Sequence, residues 1–223
     1  MKNRRREHTL IIQWSETARE LQLEEMPVLR WKVTAPKLEG DWRGLGAVQR
    51  YYDRLATLWR ERWERELYVR ACLDLAQSRA DGVPFRVWEA ALTAPSVWQG
   101  EGMLSLYQEA AERHGTQRQL VVPMGDTWSL DAGAPIPLSA LFPGERRWRE
   151  RLLDQVEEQA RARVDSGLTF LERGCLSRLR ELFSPRRFYL TGESLVLFYP
   201  MYTLAPGGEG VPAFPVPRTG AGK

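Results

Sequence analysis

Residues 45–78 read LGAVQRYYDRLATLWRERWERELYVRACLDLAQS, with no proline and with Gly46 as the only glycine. The apolar side chains recur in steps of three and four, which is the spacing that places them on one face of an α-helix. The following Asp81-Gly82-Val83-Pro84 is a typical stop signal. The stretch therefore predicts a long amphipathic helix whose apolar face packs on a sheet. That face would consist of Leu45, Val48, Tyr52, Leu55, Trp59, Trp63, Leu67, Ala71 and Leu75.

Strand patterns lie on both sides of this helix. Apolar and polar residues alternate within 27–34, 85–92 and 103–108, which is the period of half-buried strands. Gly100-Glu101-Gly102 separates the last two runs, as the turn of a hairpin would. Shorter strands are predicted at 119–122, 127–130, 187–190 and 195–199.

Two further helices complete the prediction. Residues 145–164 carry apolar side chains on one side and charges on the other, and residues 176–182 predict a shorter helix. The sequence thus predicts an α+β fold: an antiparallel sheet of hairpins packed against the long amphipathic helix and a second helix. Several prolines in the last part of the chain predict that its strands are short or lie at a sheet edge.

The domain organisation follows from these elements. Residues 1–26 predict a charged N-terminal leader, with one or two helical turns around 14–23, and residues 27–217 predict a single α+β domain. Residues 218–223 predict a disordered tail. No apolar run is long enough for a secretory signal or a membrane span. The expected localisation is therefore the cytoplasm.

The charge pattern argues against a nucleic-acid partner. The chain has 32 Lys and Arg residues against 29 Asp and Glu residues, and the two signs are interleaved. Phosphate binding needs cations that cluster without compensating carboxylates. The composition instead predicts a solvated surface of mixed charge.

Side chains for catalysis do not group into a known motif. The two histidines, His8 and His114, are far apart, and no nucleophile elbow, phosphate loop or zinc-ligand spacing occurs. The pairs Glu24-Glu25 and Glu157-Glu158 lie in charge-rich contexts that are typical of solvated faces. Cys72 and Cys175 are isolated, and two reduced thiols are favoured over one disulfide. The sequence predicts a protein that is not an enzyme and holds neither metal nor cofactor.

The C-terminal block has a distinctive order of residues. Residues 187–202 read RFYLTGESLVLFYPMY, and Leu204-Ala205-Pro206 and Gly210-Val211-Pro212-Ala213-Phe214 follow. This block resembles the end of the extracytoplasmic domain of anti-sigma-V-type lysozyme sensors, a domain of unknown function that also accompanies peptidoglycan deacetylases. The resemblance implies an α+β sensor domain without catalytic residues; a lysozyme-like protein is one candidate partner, and the partner's identity stays open.

Two hypotheses for function follow. In the first, glycine- and proline-rich loops bind a protein partner, because prolines limit the ordering cost and glycines allow close backbone approach. In the second, the chain binds a carbohydrate of the cell wall, with Trp42 and Trp98 as exposed aromatic contacts. His114 also fits an ordinary surface histidine. The predicted partner-binding residues are Tyr202, Ala205, Pro206, Gly207, Gly208, Gly210, Ser105 and His114.

Overall fold

The computed structural model describes residues 8–167, 171 and 174–218. Within them the long predicted helix is present from residue 45 to residue 81. It consists of α1 (Leu45–Arg62), a π-helical turn (Trp63–Leu67) and α2 (Tyr68–Asp81). The predicted apolar face is confirmed, since all of its members are buried except the half-buried Leu55 and Trp59.

The π turn explains how one apolar face persists over such a length. The positions of this face from Trp59 to Leu75 follow one another in steps of four, and each such step turns an α-helix about 40° beyond a full circle. The wider turn at Trp63–Leu67 holds one residue more and returns Leu67 to the face that Trp63 occupies. Both side chains are fully buried.

The helix connects two neighbouring strands of a larger sheet. The strands are β1 (Leu10–Leu23), β2 (Met26–Gly40), β3 (Trp88–Gly100), β4 (Met103–Arg113), β5 (Leu120–Ser129) and β6 (Ala134–Pro135), and they lie side by side in that order. The predicted α+β class is confirmed. One pairing differs from the predicted meander, because β2 and β3 run parallel and the helix is the crossover between them.

Strand β1 corrects the prediction of a helical turn within a charged leader. Leu10–Leu23 pairs antiparallel with β2 along its whole length, with one register shift between Leu21 and Gln22, while residues 1–7 lie outside the described part of the chain. The strand is difficult to recognise because it lies at the sheet edge and both of its faces are largely exposed. Of its side chains only Leu10 is buried. Backbone pairing with β2 holds it in place.

A second, smaller sheet forms the C-terminal part. It consists of β7 (Phe188–Leu190), β8 (Ser194–Phe198) and β9 (Ala213–Pro217), all antiparallel, and β9 is the short edge strand that its prolines predicted. Helices α3 (Trp148–Ser166) and α4 (Cys175–Glu181) pack on this sheet. Together they enclose a core of their own that includes Leu152, Val156, Leu179, Leu197 and Phe214.

The remaining predictions agree with the structure in outline. The two strands predicted at 119–122 and 127–130 are parts of the single strand β5. Cys72 and Cys175 are not joined by a disulfide and lie in different cores. No helix within the described ranges has both the length and the apolar character to cross a bilayer. Of the tail predicted at 218–223, all but Arg218 lies outside the described residues.

Candidate functional site

The two sheets pack face to face over only part of the larger sheet. The contact lies on the face of β4 and β5 that points away from the long helix. The backbone N–H of Leu190 in β7 donates to the Oγ of Ser105, at 2.8 Å, and the rings of Tyr107 and Tyr189 stack with centroids 4.6 Å apart. The same face of β1, β2 and the first half of β3 is left uncovered, whereas Trp98 near the end of β3 packs against the core of the smaller sheet.

Alanines form the floor of this uncovered face. In the register of the sheet, Ala18 lies beside Lys32, Lys32 beside Ala91, and Ala91 beside Ala111, so that one row of side chains crosses four strands. The Nζ of Lys32 is turned aside to the carboxylate of Glu16, at 2.7 Å. The short side chains leave a depression of about 530 Å³. We call the floor formed by Ala18, Ala91 and Ala111 the alanine trough.

A charged row borders the alanine trough. Glu20, Arg30, Glu89 and Arg113 are neighbours in adjacent strands, and their signs alternate. The Nε of Arg30 donates to Glu20 at 2.7 Å, and Arg113 pairs with Glu89. The hydrogen bond from Arg30 lowers the pKa of Glu20, so this carboxylate keeps its charge in mildly acidic solution. The border is a set of fixed, alternating charges.

The loop that follows β8 stands beside one end of the alanine trough. The hydroxyl of Tyr202 donates to the carbonyl oxygen of Gln119, at 3.4 Å, and Gln119 lines the depression. Tyr202 is 41% exposed and has a positive φ of 65°. Its ring covers Gly207 so closely that a Cβ there would lie 2.1 Å from the ring carbon Cε1. A side chain at position 207 would therefore require the Tyr202 ring to move.

The structure places the predicted loop residues at the surface, with one exception. Tyr202, Pro206 and Gly208 are exposed, and Gly207 and Gly210 are partly exposed. The assignment of Ala205 to a contact surface is wrong, because only 2% of this residue is exposed and it packs beneath the loop.

The assignment of Ser105 to a contact loop is also wrong. The segment from residue 103 to residue 113 is strand β4 in the interior of the sheet, and 1% of Ser105 is exposed. Its Oγ lies 2.9 Å from the Oγ1 of Thr127 and accepts the N–H of Leu190. Ser105 therefore joins the two sheets and is not available to a partner.

His114 belongs to a packed polar cluster on the helix side of the larger sheet. Its ring stacks on Trp88, with centroids 4.2 Å apart, and its Nε2 lies 3.4 Å from the carboxylate of Glu112. Glu112 also accepts hydrogen bonds from the Nε1 of Trp63, at 3.0 Å, and from Arg62, at 3.3 Å. No sequence pattern predicted this cluster, because Glu112 lies beyond the strand predicted at 103–108 and is placed inward only by the longer strand β4. Within the described ranges no three His, Cys, Asp or Glu residues converge as metal ligands would.

The two tryptophans predicted as exposed contacts are partly buried, and each has a neighbour against its ring. The guanidinium of Arg218 lies 4.5 Å from the ring centroid of Trp98. The ring of His8 lies 4.7 Å from that of Trp42, and the Nδ1 of His8 is 3.0 Å from Asp41. Each ring thus already has a contact within the protein, and Trp42 also lines a depression of about 780 Å³.

Residues 139–219 match the family model DUF3298, described as a protein of unknown function. The DUF3298 match covers α3, α4 and the smaller sheet, including the C-terminal block that carried the resemblance in the sequence. No curated protein matches the chain at a significant level.

Two crystal structures of DUF3298 proteins show the same fold over nearly the whole chain. One, from Bacteroides fragilis, is 12% identical, superposes with a TM-score of 0.65, and the alignment covers 93% of this chain and 90% of that one. The other, from Pseudomonas aeruginosa, is 14% identical with a TM-score of 0.56, over 94% and 90% of the two chains. The likeness thus includes the larger sheet and the long helix.

Proposed function

We propose that the protein is a non-catalytic binding module that recognises a protein partner across the alanine trough and the loop at 202–210. The main support for the proposal is that these two features are neighbours: Tyr202 of the loop donates a hydrogen bond to Gln119, which lines the depression. An apolar floor with a polar border is the composition of a protein interface. Tyrosine is also among the residues that contribute most to binding energy at such interfaces.

The state of the acidic residues supports a binding role over catalysis. Glu112 is held by Trp63 and Arg62, and the Oδ2 of Asp74 accepts the Nε1 of Trp88 at 2.8 Å. Both carboxylates are thus engaged in joining the helix to the sheet. The carboxylates beside the trough are also engaged, because Glu20 is paired with Arg30 and Glu89 with Arg113.

The resemblance to anti-sigma-V-type sensors supports a protein as the class of ligand. It makes a lysozyme the first purified partner to test. The paired charges at the border of the trough suit recognition of another folded surface, because their ion pairs restrict the side chains before binding and alternating signs favour a complementary partner.

Filling the alanine trough tests the proposal. We expect Ala91→Trp to weaken binding of the partner about tenfold, or about 1.4 kcal/mol, and so to reduce its recovery in quantitative cross-linking and affinity purification from the source cell. The matched control is Ala76→Trp, an exposed position on α2, which should leave recovery unchanged. Equal recovery with both variants would remove the trough from the interface.

The loop gives an independent prediction. The double variant Tyr202→Ala with Pro206→Ala should weaken binding of the same partner, while the free energy of unfolding changes by no more than about 1 kcal/mol because both side chains are exposed. Denaturant unfolding checks the second part. A large loss of stability would show that Tyr202 serves to pack on Gly207 and not to contact a partner.

A further inference from the structure

A second cavity lies on another part of the molecule, between the end of β5, the segment after β6 and the beginning of α3. Its volume is about 620 Å³, and it shares no lining residue with the alanine trough. This volume is in the range of small-molecule sites. Its apolar walls are Pro135, Ile136, Pro137, Leu138, Trp148, Pro185 and Phe188.

The walls of this cavity are rigid. Three of the lining residues are prolines, whose φ is fixed by the ring, so their chain segments lose little freedom when a ligand binds. One face of Trp148 is fixed against Phe142, with rings 5.3 Å apart and nearly parallel. The cavity therefore keeps an aromatic surface in a set position.

The backbone of β5 adds polar groups to the wall. Ile136 donates to the carbonyl oxygen of Thr127, so the backbone of Thr127 points away from β4. Backbone groups two residues apart in a strand point to the same edge. Gly125 therefore presents its N–H and C=O at this edge, beyond the end of the short pairing with β6, and Gly125 lines the cavity.

Arg186 gives the cavity an uncompensated positive charge. Its side chain is exposed and has no hydrogen bond or ion pair within the described residues. Asp126, the acid that lines the same cavity, accepts a hydrogen bond at its Oδ2 from Tyr51 of α1, at 3.0 Å. Burial also raises the pKa of Asp126. The acid thus leaves Arg186 available to an anion.

We infer that this cavity binds a carboxylate attached to an apolar ring, with the ring against Trp148 and the prolines and the carboxylate on Arg186. Guanidinium binds a carboxylate through two parallel hydrogen bonds, which fixes the orientation of such a ligand. The same chemistry occurs in a free aromatic acid and in a peptide that ends in an aromatic residue. In the peptide, the amide before the last residue could also pair with Gly125.

Three probes distinguish these sources and test the charge: 3-phenylpropanoate, its neutral amide 3-phenylpropanamide, and N-acetyl-glycyl-phenylalanine. Each is titrated to millimolar concentration into the whole protein while the indole N–H of Trp148 is followed by NMR, with Trp148→Phe used to assign the signal. We expect both carboxylates to shift this signal saturably and the amide to bind about tenfold more weakly. Tighter binding of the peptide identifies a chain terminus as the ligand, and equal or weaker binding identifies a free acid.

Substitutions of Arg186 test whether its guanidinium binds the carboxylate. Arg186→Ala should weaken both carboxylates about tenfold, Arg186→Lys should weaken them less, and Arg161→Ala, an exposed arginine of α3, should have no effect. No shift of the Trp148 signal with either carboxylate would overturn the inference. Equal affinity for acid and amide would overturn it as well. Neither result bears on the alanine trough.

Discussion

Trp63→Ala should lower the free energy of unfolding by about 3–5 kcal/mol, the usual cost of removing a buried tryptophan. Trp63 belongs to the π turn of the long helix, and its side chain is fully buried against the larger sheet. The substitution leaves a large cavity and also removes the N–H that Glu112 accepts at 3.0 Å. Urea unfolding followed by circular dichroism measures the change.

A second variant separates the two causes and remains measurable if Trp63→Ala does not fold. Trp63→Phe keeps most of the volume but loses the hydrogen bond to Glu112, and we expect it to cost about 1–3 kcal/mol. The control is Leu73→Ala on the same helix, where the side chain is 65% exposed and the change should stay within about 0.5 kcal/mol. A cost for Trp63→Phe as small as for Leu73→Ala would show that the Glu112 hydrogen bond contributes nothing.

Gly125→Ala should destabilise the contact between the two sheets by about 1–3 kcal/mol. A Cβ on Gly125 would lie 2.4 Å from the carbonyl oxygen of Phe188 and 2.7 Å from the Cε1 of Phe198. Both belong to the smaller sheet, and a backbone oxygen cannot move aside as the end of a long side chain can. The sheets must therefore separate to admit one methyl group. Denaturant unfolding gives the energy.

Gly208→Ala is the matched control for this substitution. Nothing lies within 4 Å of a Cβ at Gly208, and its φ is not in the positive range. The same chemical change should therefore be nearly neutral there. Hydrogen exchange of the β7 amides adds a local readout, since exchange should accelerate in Gly125→Ala alone. Unchanged protection of β7 in that variant would contradict the described packing.

The sequence predicted those parts of the fold that repeat a local period. The long helix was recognisable because Leu45, Val48, Tyr52 and their successors keep one spacing over many turns. Its π turn was not, because each single step of four is also a neighbour spacing in an α-helix, and only the rotation accumulated over successive steps from Trp59 to Leu75 indicates a wider turn. The parallel pairing of β2 with β3 was missed because strand direction depends on the crossover between the strands, and the pattern of each strand is the same either way.

The candidate site was predicted only in its loop. Glycine and proline mark the surface segment from Pro206 to Gly210, but Ala205 directly before it is buried, since nothing in a short loop indicates which residue anchors it. The alanine trough had no sequence signal at all. Ala18, Ala91 and Ala111 are ordinary alanines that become one surface through the register of four strands. Ser105 was misassigned for the same reason, because its burial depends on a sheet formed more than eighty residues later.

The parallel pairing of β2 with β3 has a consequence for the order of assembly during folding. In a sheet made only of hairpins, each strand can pair with the one before it across a tight turn, so that every pairing closes only a short loop. Here the strands that meet at the centre of the larger sheet are separated by the whole of α1 and α2. Closing so long a loop costs entropy before any strand contact repays it. We therefore expect the tryptophan-bearing face of the helix to dock on β2 before β3 pairs with it, because that contact brings the two strands together.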